Sequence, residues 1–371
     1  MKKMKKMKKI ISLVLSAALL IASLSALAGC SKDDGGVEKT GEVLYVYNWG
    51  EYISNGDDGT LDTNAQFEKE TGIEVKYLTF SSNEEMYTKI KSGSMTVDVI
   101  IPSDYMISQM ISEGMLEKLD FDNIPNAENI DASFGKPMYD PTGEYSVPYT
   151  WGCTAIFYDS RYVDPEDVDE NSWDLLWNEK YAGKILMFNN QRDAFAVAEA
   201  KLGYSLNTEN QEELEAAYQE LVKQSPLVQG YYGDQIFDKM ESGEAIIAPY
   251  FNGDLAMILD GNEYVKGYIP KNANKFVDAM CVPTCCQNKS AAEKYINFLC
   301  REDIALANAE YIGYASPISA VVEELDDELK TEFYYPTEEK LAECEVYYQL
   351  SDETNKFLSQ KWEDLMNQVV Q

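Results

Sequence analysis

Trp49, Tyr52, Tyr105, Asp193, Phe251, Asp254, Phe276 and Asp278 stand at or near the ends of short apolar runs, rings interleaved with carboxylates. These residue types suit a flexible methylene chain carrying ammonium groups at fixed spacing, as a polyamine does: rings wall the chain and carboxylates meet the ammoniums. A ring over an ammonium contributes roughly 0.5–2 kcal/mol, and a charge-assisted hydrogen bond about 1.5–3 kcal/mol. Two acids and three rings would thus offset the cost of ordering the ligand and reach about micromolar affinity, roughly −8 kcal/mol. Each residue also has a plainer role available. The chain has 26 tyrosines, many of which must be core or surface rings. Asp193 suits the start of a helix, where the macrodipole favours an acid, and Asp254 suits an N-cap.

Other chemistries have less to work with. The chain contains no histidine, which removes the commonest transition-metal ligand and the commonest general base together. No nucleophile–base pairing and no G-x-S-x-G motif is legible, so a glycosidase or other hydrolase is a weak alternative. Iron(III) capture would call for clustered tyrosinates with acids, for which Tyr231-Tyr232 is the most suggestive pair. The formal net charge of −33 disfavours nucleic acid and anionic surfaces as partners and favours approach of a cation, although a generic acidic coat has the same sign. Cys153, Cys281, Cys285, Cys286, Cys300 and Cys344 show no C-x-x-C spacing, and the apolar neighbours of Cys281 and Cys300 suggest buried free thiols. A disulfide outside the cytoplasm stays open.

The elements that must position the candidate residues follow from periodicity. Residues 43–47 (VLYVY) read as a strand, 61–70 as an amphipathic helix and 73–80 as an alternating strand. A helix over 82–92 opens on a capping-box pattern, and 97–101 (VDVII) reads as a buried parallel strand. The second half repeats the logic, with strands at 183–188, 245–250 and 276–282 and helices at 194–202, 210–223 and 291–299. Alternating strands and helices predict an α/β fold. In open α/β sheets ligands sit beyond the carboxyl ends of strands. That places the candidate site at 48–52, 103–105, 189–193 and 251–254, within a cleft between two lobes.

The N-terminus adds an address. Six lysines within residues 2–9 precede an apolar run from Ile10 to about Leu27, which ends in Leu27-Ala28-Gly29-Cys30. This predicts a secretory signal peptide over 1–29 with a lipobox, Cys30 carrying the diacylglycerol. Two acyl chains would anchor the chain stably to the outer face of the cell membrane. The polar stretch after Cys30, to about residue 40, has the composition of a flexible tether.

Tyr47-Asn48-Trp49-Gly50-Glu51-Tyr52, Pro102-Ser103-Asp104-Tyr105, the run 145–152 (YSVPYTWG) and the run 312–317 (IGYASP) give the chain a family likeness. It resembles the spermidine/putrescine-binding proteins of polyamine ABC importers across nearly the whole mature chain. The resemblance implies the two-lobed periplasmic-binding-protein fold, with an interlobe ligand cleft and multiple chain crossovers. The expected lobes are 41–154 with 278–322, and 155–277 with 323–371. Carried over position by position, Trp49 and Tyr52 look like first-lobe aromatic contacts, and Ser103 and Tyr105 like hydroxyls flanking the ligand chain. Asp193 stands in the place of a carboxylate that is usually a glutamate, and Phe251 and Phe276 where tryptophans are usual. Asp278 matches the carboxylate that holds a terminal amine, and Tyr314 a tyrosine of the cleft. Asn190 stands where spermidine binders often carry aspartate, and Asp254 where putrescine binders carry it, which tilts the expectation toward putrescine. The implied partners are putrescine or spermidine and ABC permease subunits with a cytoplasmic ATPase. A monomer without cofactor, metal or catalytic residue is implied too. A surface receptor that signals rather than transports fits the same features.

Overall fold

The computed structural model describes residue 37 and residues 39–369. The signal-peptide, lipobox and Cys30 assignments lie outside the described residues, as does most of the tether. No helix among the described residues is long and apolar enough to cross a membrane.

The chain opens with β1 (Val43–Trp49), α1 (Thr63–Thr71), β2 (Glu74–Phe80), α2 (Asn83–Lys91), β3 (Val99–Ile100) and α3 (Asp104–Ser112), then a long strand β4 (Ser146–Asp159). It continues through β5 (Ile185–Phe188), α4 (Gln191–Leu202), α5 (Gln211–Gln224), β6 (Val228–Tyr232), α6 (Ile236–Ser242), β7 (Ile247–Phe251) and α7 (Leu255–Gly261). After β8 (Val265–Tyr268) and β9 (Lys275–Cys281) come α8 (Lys289–Leu299), α9 (Glu302–Ile312), α10 (Ser319–Glu324), α11 (Glu338–Leu341) and α12 (Asp352–Val369).

Local chemistry sets several of these boundaries. Asp62 accepts from the Ala65 N–H and starts α1, and Gly72 ends it in the left-handed conformation that costs glycine least. Ser82 caps α2 by accepting from Glu85 N, while Glu85 reaches back one residue further than a capping box requires, to the N–H and hydroxyl of Ser81. Asn190 caps α4, so the helix begins at Gln191, three residues before the periodicity alone places it.

The strands run in the order β2-β1-β3-β9-β4-β7-β5-β6, with β8 also on β4. β1, β2 and β3 are mutually parallel, as are β5, β6 and β7, but β4 and β9 enter antiparallel and make the whole mixed. β4 serves two sheets. Its residues 146–153 pair with β9, and its residues 154–158 pair with β7. The apolar side chains divide with it. Leu44, Val46, Met280 and the α8 residues Tyr295 and Ile296 form one cluster, with Tyr47, Ile100 and Met106 in a second. Phe157, Leu186, Phe195, Leu214 and Ile247, joined by Leu358 and Leu365 of α12, form a third. Each sheet thus has a core of its own, and β4 passes from one to the other. All of β9, including Phe276 and Val277, pairs within the first sheet.

Candidate functional site

A cleft of about 540 Å³ opens where the ends of the parallel strands of the two sheets meet. Trp49, Tyr52, Ser103, Tyr105, Asp193, Phe251, Asp254, Phe276, Asp278 and Tyr314 all line it. The topology explains the convergence. β1 and β3 deliver Trp49 and Ser103, β5 leads into Asp193, β7 ends at Phe251, and β9 carries Phe276 and Asp278 along its pairing with β4.

Asp278 is buried within a polar network. Its Oδ2 accepts from the Tyr52 hydroxyl at 2.6 Å, and the same hydroxyl lies 2.6 Å from Thr150 Oγ1. Oδ1 has no hydrogen bond of normal length and angle, although the Ser103 hydroxyl is close enough to favour the ionised form. Burial pushes the carboxyl up to about 6, with Tyr52 and Ser103 opposing. Ser103 stands at the N-terminal boundary of α3 without capping it by its side chain; its hydroxyl oxygen accepts from Asn83 Nδ2 at 3.1 Å. Next to it Asp104, buried, accepts from the N–H groups of Tyr105 and Val277, and burial drives it up to about 8, with Asp278 adding to the rise.

On the other wall Asp254 accepts from Tyr314 at 2.6 Å, and burial raises it well above the usual carboxylate range. It makes no capping bond to the helix that follows. Asp193 does begin a helix, yet its carboxylate faces outward to Tyr347, whose hydroxyl donates to Oδ1 at 2.9 Å, and to Asn190 Nδ2 at 2.8 Å. Asn190 therefore orients Asp193 while capping α4 through its own carbonyl oxygen. Burial raises the Asp193 carboxyl, and these two donors oppose the rise.

The rings form a near-continuous wall. Tyr52 meets Tyr314 edge-on at 4.9 Å, Tyr314 meets Phe276 at 6.2 Å, Phe276 meets Phe251 at 5.3 Å and Phe251 meets Phe188 at 5.4 Å. Trp49 is backed by Phe80 at 4.5 Å, and Tyr105 crosses to Tyr347 at 5.9 Å. Phe251 and Phe276 meet edge-on, so phenylalanine at both positions keeps the wall closed.

Sequence reasoning missed Glu84, Asp104, Asp234, Tyr250, Tyr347 and Trp362, which also line the cleft. Tyr347 and Trp362 come from the C-terminal segment, which gave no strand-end signal. Asp104 lies beside Ser103, in the first turn of α3. Six carboxylates therefore line the cleft with no lysine or arginine among the lining residues. None of the six belongs to an ion pair among the described residues.

The walls also fit closely. A Cβ on Gly253 would lie 2.4 Å from Cδ2 of the Tyr314 ring, and one on Gly50 would lie 2.7 Å from Asp234 Oδ2. Gly253→Ala is expected to push Tyr314 from Asp254 and weaken ligand binding at least tenfold. Calorimetric titration of the variant checks this, and wild-type affinity would show that the ring yields at no cost.

Two sheets, each with its own core, joined by the shared strand β4 around a cleft define a two-lobed solute-binding protein. The chain belongs to the bacterial extracellular solute-binding protein family, whose model matches residues 63–336. It is 38% identical over 306 residues to the spermidine/putrescine-binding periplasmic protein of Escherichia coli strain K12, covering 82% of this chain and 86% of that one. Over 342 residues it is 35% identical to the protein of the same name from Salmonella typhimurium, covering 91% and 93%. Among solved structures, the spermidine/putrescine ABC transporter substrate-binding protein PotD from Streptococcus pneumoniae matches with a TM-score of 0.72 at 35% identity, over 88% of this chain and 98% of that one.

Proposed function

We propose that this chain captures a polyamine, putrescine or spermidine, between its two lobes outside the cytoplasm and delivers it to an ABC importer. The observation that carries the reading is the cleft's charge: six carboxylates, no basic residue and a wall of aromatic rings. Burying carboxylates without cationic partners costs folding free energy. The raised proton affinities of Asp278, about 6, and Asp104, about 8, are that cost expressed as chemistry. A ligand that brings its own positive charges offsets it, and rings can wrap the methylenes between. Relatives named for spermidine and putrescine binding support the same ligand class.

The proposed lobes follow the two sheets: 41–153 with 275–322, and 154–274 with 323–371. The ligand bridges them and selects the closed state, which the membrane permease recognises. The aromatic rings between the carboxylates suit a methylene chain with ammonium ends better than an iron(III) ion; of the Tyr231-Tyr232 pair only Tyr232 lines the cleft, while Tyr231 packs edge-on against Trp362. Attachment to the outer face of the cell membrane through Cys30 is part of the proposal, resting on the leader residues and the lipobox.

Titrating residues 31–371 with putrescine, spermidine and an amino acid in a calorimeter tests the reading. Saturable binding of at least one polyamine near micromolar concentration is expected, with no heat from the amino acid. Silence with both polyamines would remove the assignment.

A further inference from the structure

We propose that Glu84 determines specificity in this cleft: together with Asp193 of the opposite lobe it holds the second ammonium of a ligand whose first ammonium is held at Asp278. The inference rests on the polyamine reading above and says which groups grip the far end.

Glu84 lies in the first turn of α2, and Asp193 in the first turn of α4. The helix N-termini favour negative charge at both places. Tyr105 donates its hydroxyl proton to Glu84 Oε1 at 2.9 Å and accepts from Asn83 Nδ2 at 3.0 Å. Across the cleft Tyr347 donates to Asp193 Oδ1 at 2.9 Å. The two tyrosine rings meet edge-on at 5.9 Å, which brings the two hydroxyl–carboxylate pairs together from opposite walls. Neither carboxylate has an ion pair within 4.0 Å among the described residues; the nearby Arg192 guanidinium stacks on the Tyr347 ring, 4.4 Å from its centroid, and favours the ionised Asp193 without bonding it. Each has accepting capacity left, since a carboxylate offers about four lone-pair sites. An ammonium, with three donors, matches two such carboxylates.

The spacing between this station and Asp278 is built rather than incidental. Ser103, whose hydroxyl lies beside Asp278, accepts from Asn83, and Asn83 also holds the Tyr105 hydroxyl that reaches Glu84. This row of hydrogen bonds sets the distance from Asp278 to Glu84. A ligand with one ammonium engages one station; a ligand with two or more engages both. The arrangement also answers the neutral Asn190. The second negative charge beside Asp193 comes from the other lobe, so lobe closure brings two like charges together unless a cation bridges them.

The test uses the full chain in detergent, comparing wild type with Glu84→Gln and Glu84→Asp by calorimetry. The probes are putrescine, spermidine and N-acetylputrescine, the last having one ammonium, which goes to the more buried Asp278. Glu84→Gln is expected to lower affinity for putrescine and spermidine at least tenfold and to leave N-acetylputrescine within twofold. Glu84→Asp is expected to recover most of the loss. Because the glutamine still accepts from Tyr105, the melting temperature should be unchanged. Should it fall, the ratio of putrescine to N-acetylputrescine affinity remains diagnostic, because a damaged fold weakens both. An unchanged ratio in Glu84→Gln overturns the inference. Wild-type chain that binds no polyamine would instead remove the proposed function itself, and the role of Glu84 with it.

Discussion

Replacing Asp278 with Asn is expected to lower polyamine affinity about 30- to 1000-fold, equivalent to about 2–4 kcal/mol, without lowering the melting temperature of the ligand-free chain at pH 7.5. The two halves of that expectation have one cause. Asp278 is buried, one of its oxygens is held by Tyr52, and the other has no hydrogen bond of normal geometry. Ionising it in the empty cleft is unfavourable, as its rise from 3.8 to about 6 records. An ammonium in the cleft uses that charge fully, because little water competes for it. Asparagine keeps a carbonyl oxygen for Tyr52 and loses the charge. On the proposed reading the ligand would therefore lose a charged anchor while the empty protein is relieved of a buried anion. Calorimetry and thermal melts on the same sample check both halves. Binding within threefold of wild type would take Asp278 out of the ligand's reach.

Acidification is expected to weaken binding about tenfold per pH unit once the pH falls below about 6, with protons released on binding in that range. Asp278 titrates near 6 in the empty cleft, and Asp104 near 8; Asp254 and Asp193 are raised as well, burial being the largest cause in every case. Below 6 a polyamine must displace a proton from Asp278 before pairing with it. The sign for stability is opposite. These carboxyls bind protons more tightly folded than unfolded, so their contribution to the ligand-free fold is fully present below about pH 4 and is lost as pH rises through about 6 and then about 8. A bound polycation cancels that loss. The rise in melting temperature on adding putrescine should therefore be larger at pH 8 than at pH 5, as a thermal-shift series would show. A shift that is flat across this range would mean that the cleft carboxylates are not the groups that meet the ligand.

How far these groups could be located without coordinates depended on how local their signals are. Trp49 and Asp193 follow short apolar strands, and strand ends can be read from a few residues of pattern. Phe276 and Asp278 lie inside β9, yet alternation on a strand puts both on one face. β4 defeated the same reading. Fourteen residues long and buried along nearly its full length, it shows neither alternation nor a turn signal, because it is covered on both faces and changes sheet partway. The antiparallel pairing of β4 and β9 went unread for the same reason: partner direction is a property of two distant segments. Tyr347 and Trp362 reach the cleft from the chain's last segment, and nothing near them in sequence says so.

The sequence by itself determined the leader pattern, the α/β alternation, the excess of acid and the residue types able to grip a chain of ammoniums. These depend on composition and on contacts within a few residues. Only the tertiary structure decided that six carboxylates line one cleft with no lysine or arginine in the lining itself, that Asp254 serves Tyr314 rather than a helix end, and that Tyr105 and Tyr347, meeting edge-on, carry hydrogen bonds to Glu84 and Asp193. The physical reason is burial. A carboxylate's proton affinity and its appetite for a cation are set by what the folded chain excludes from around it, and that surrounding is assembled from segments up to hundreds of residues apart.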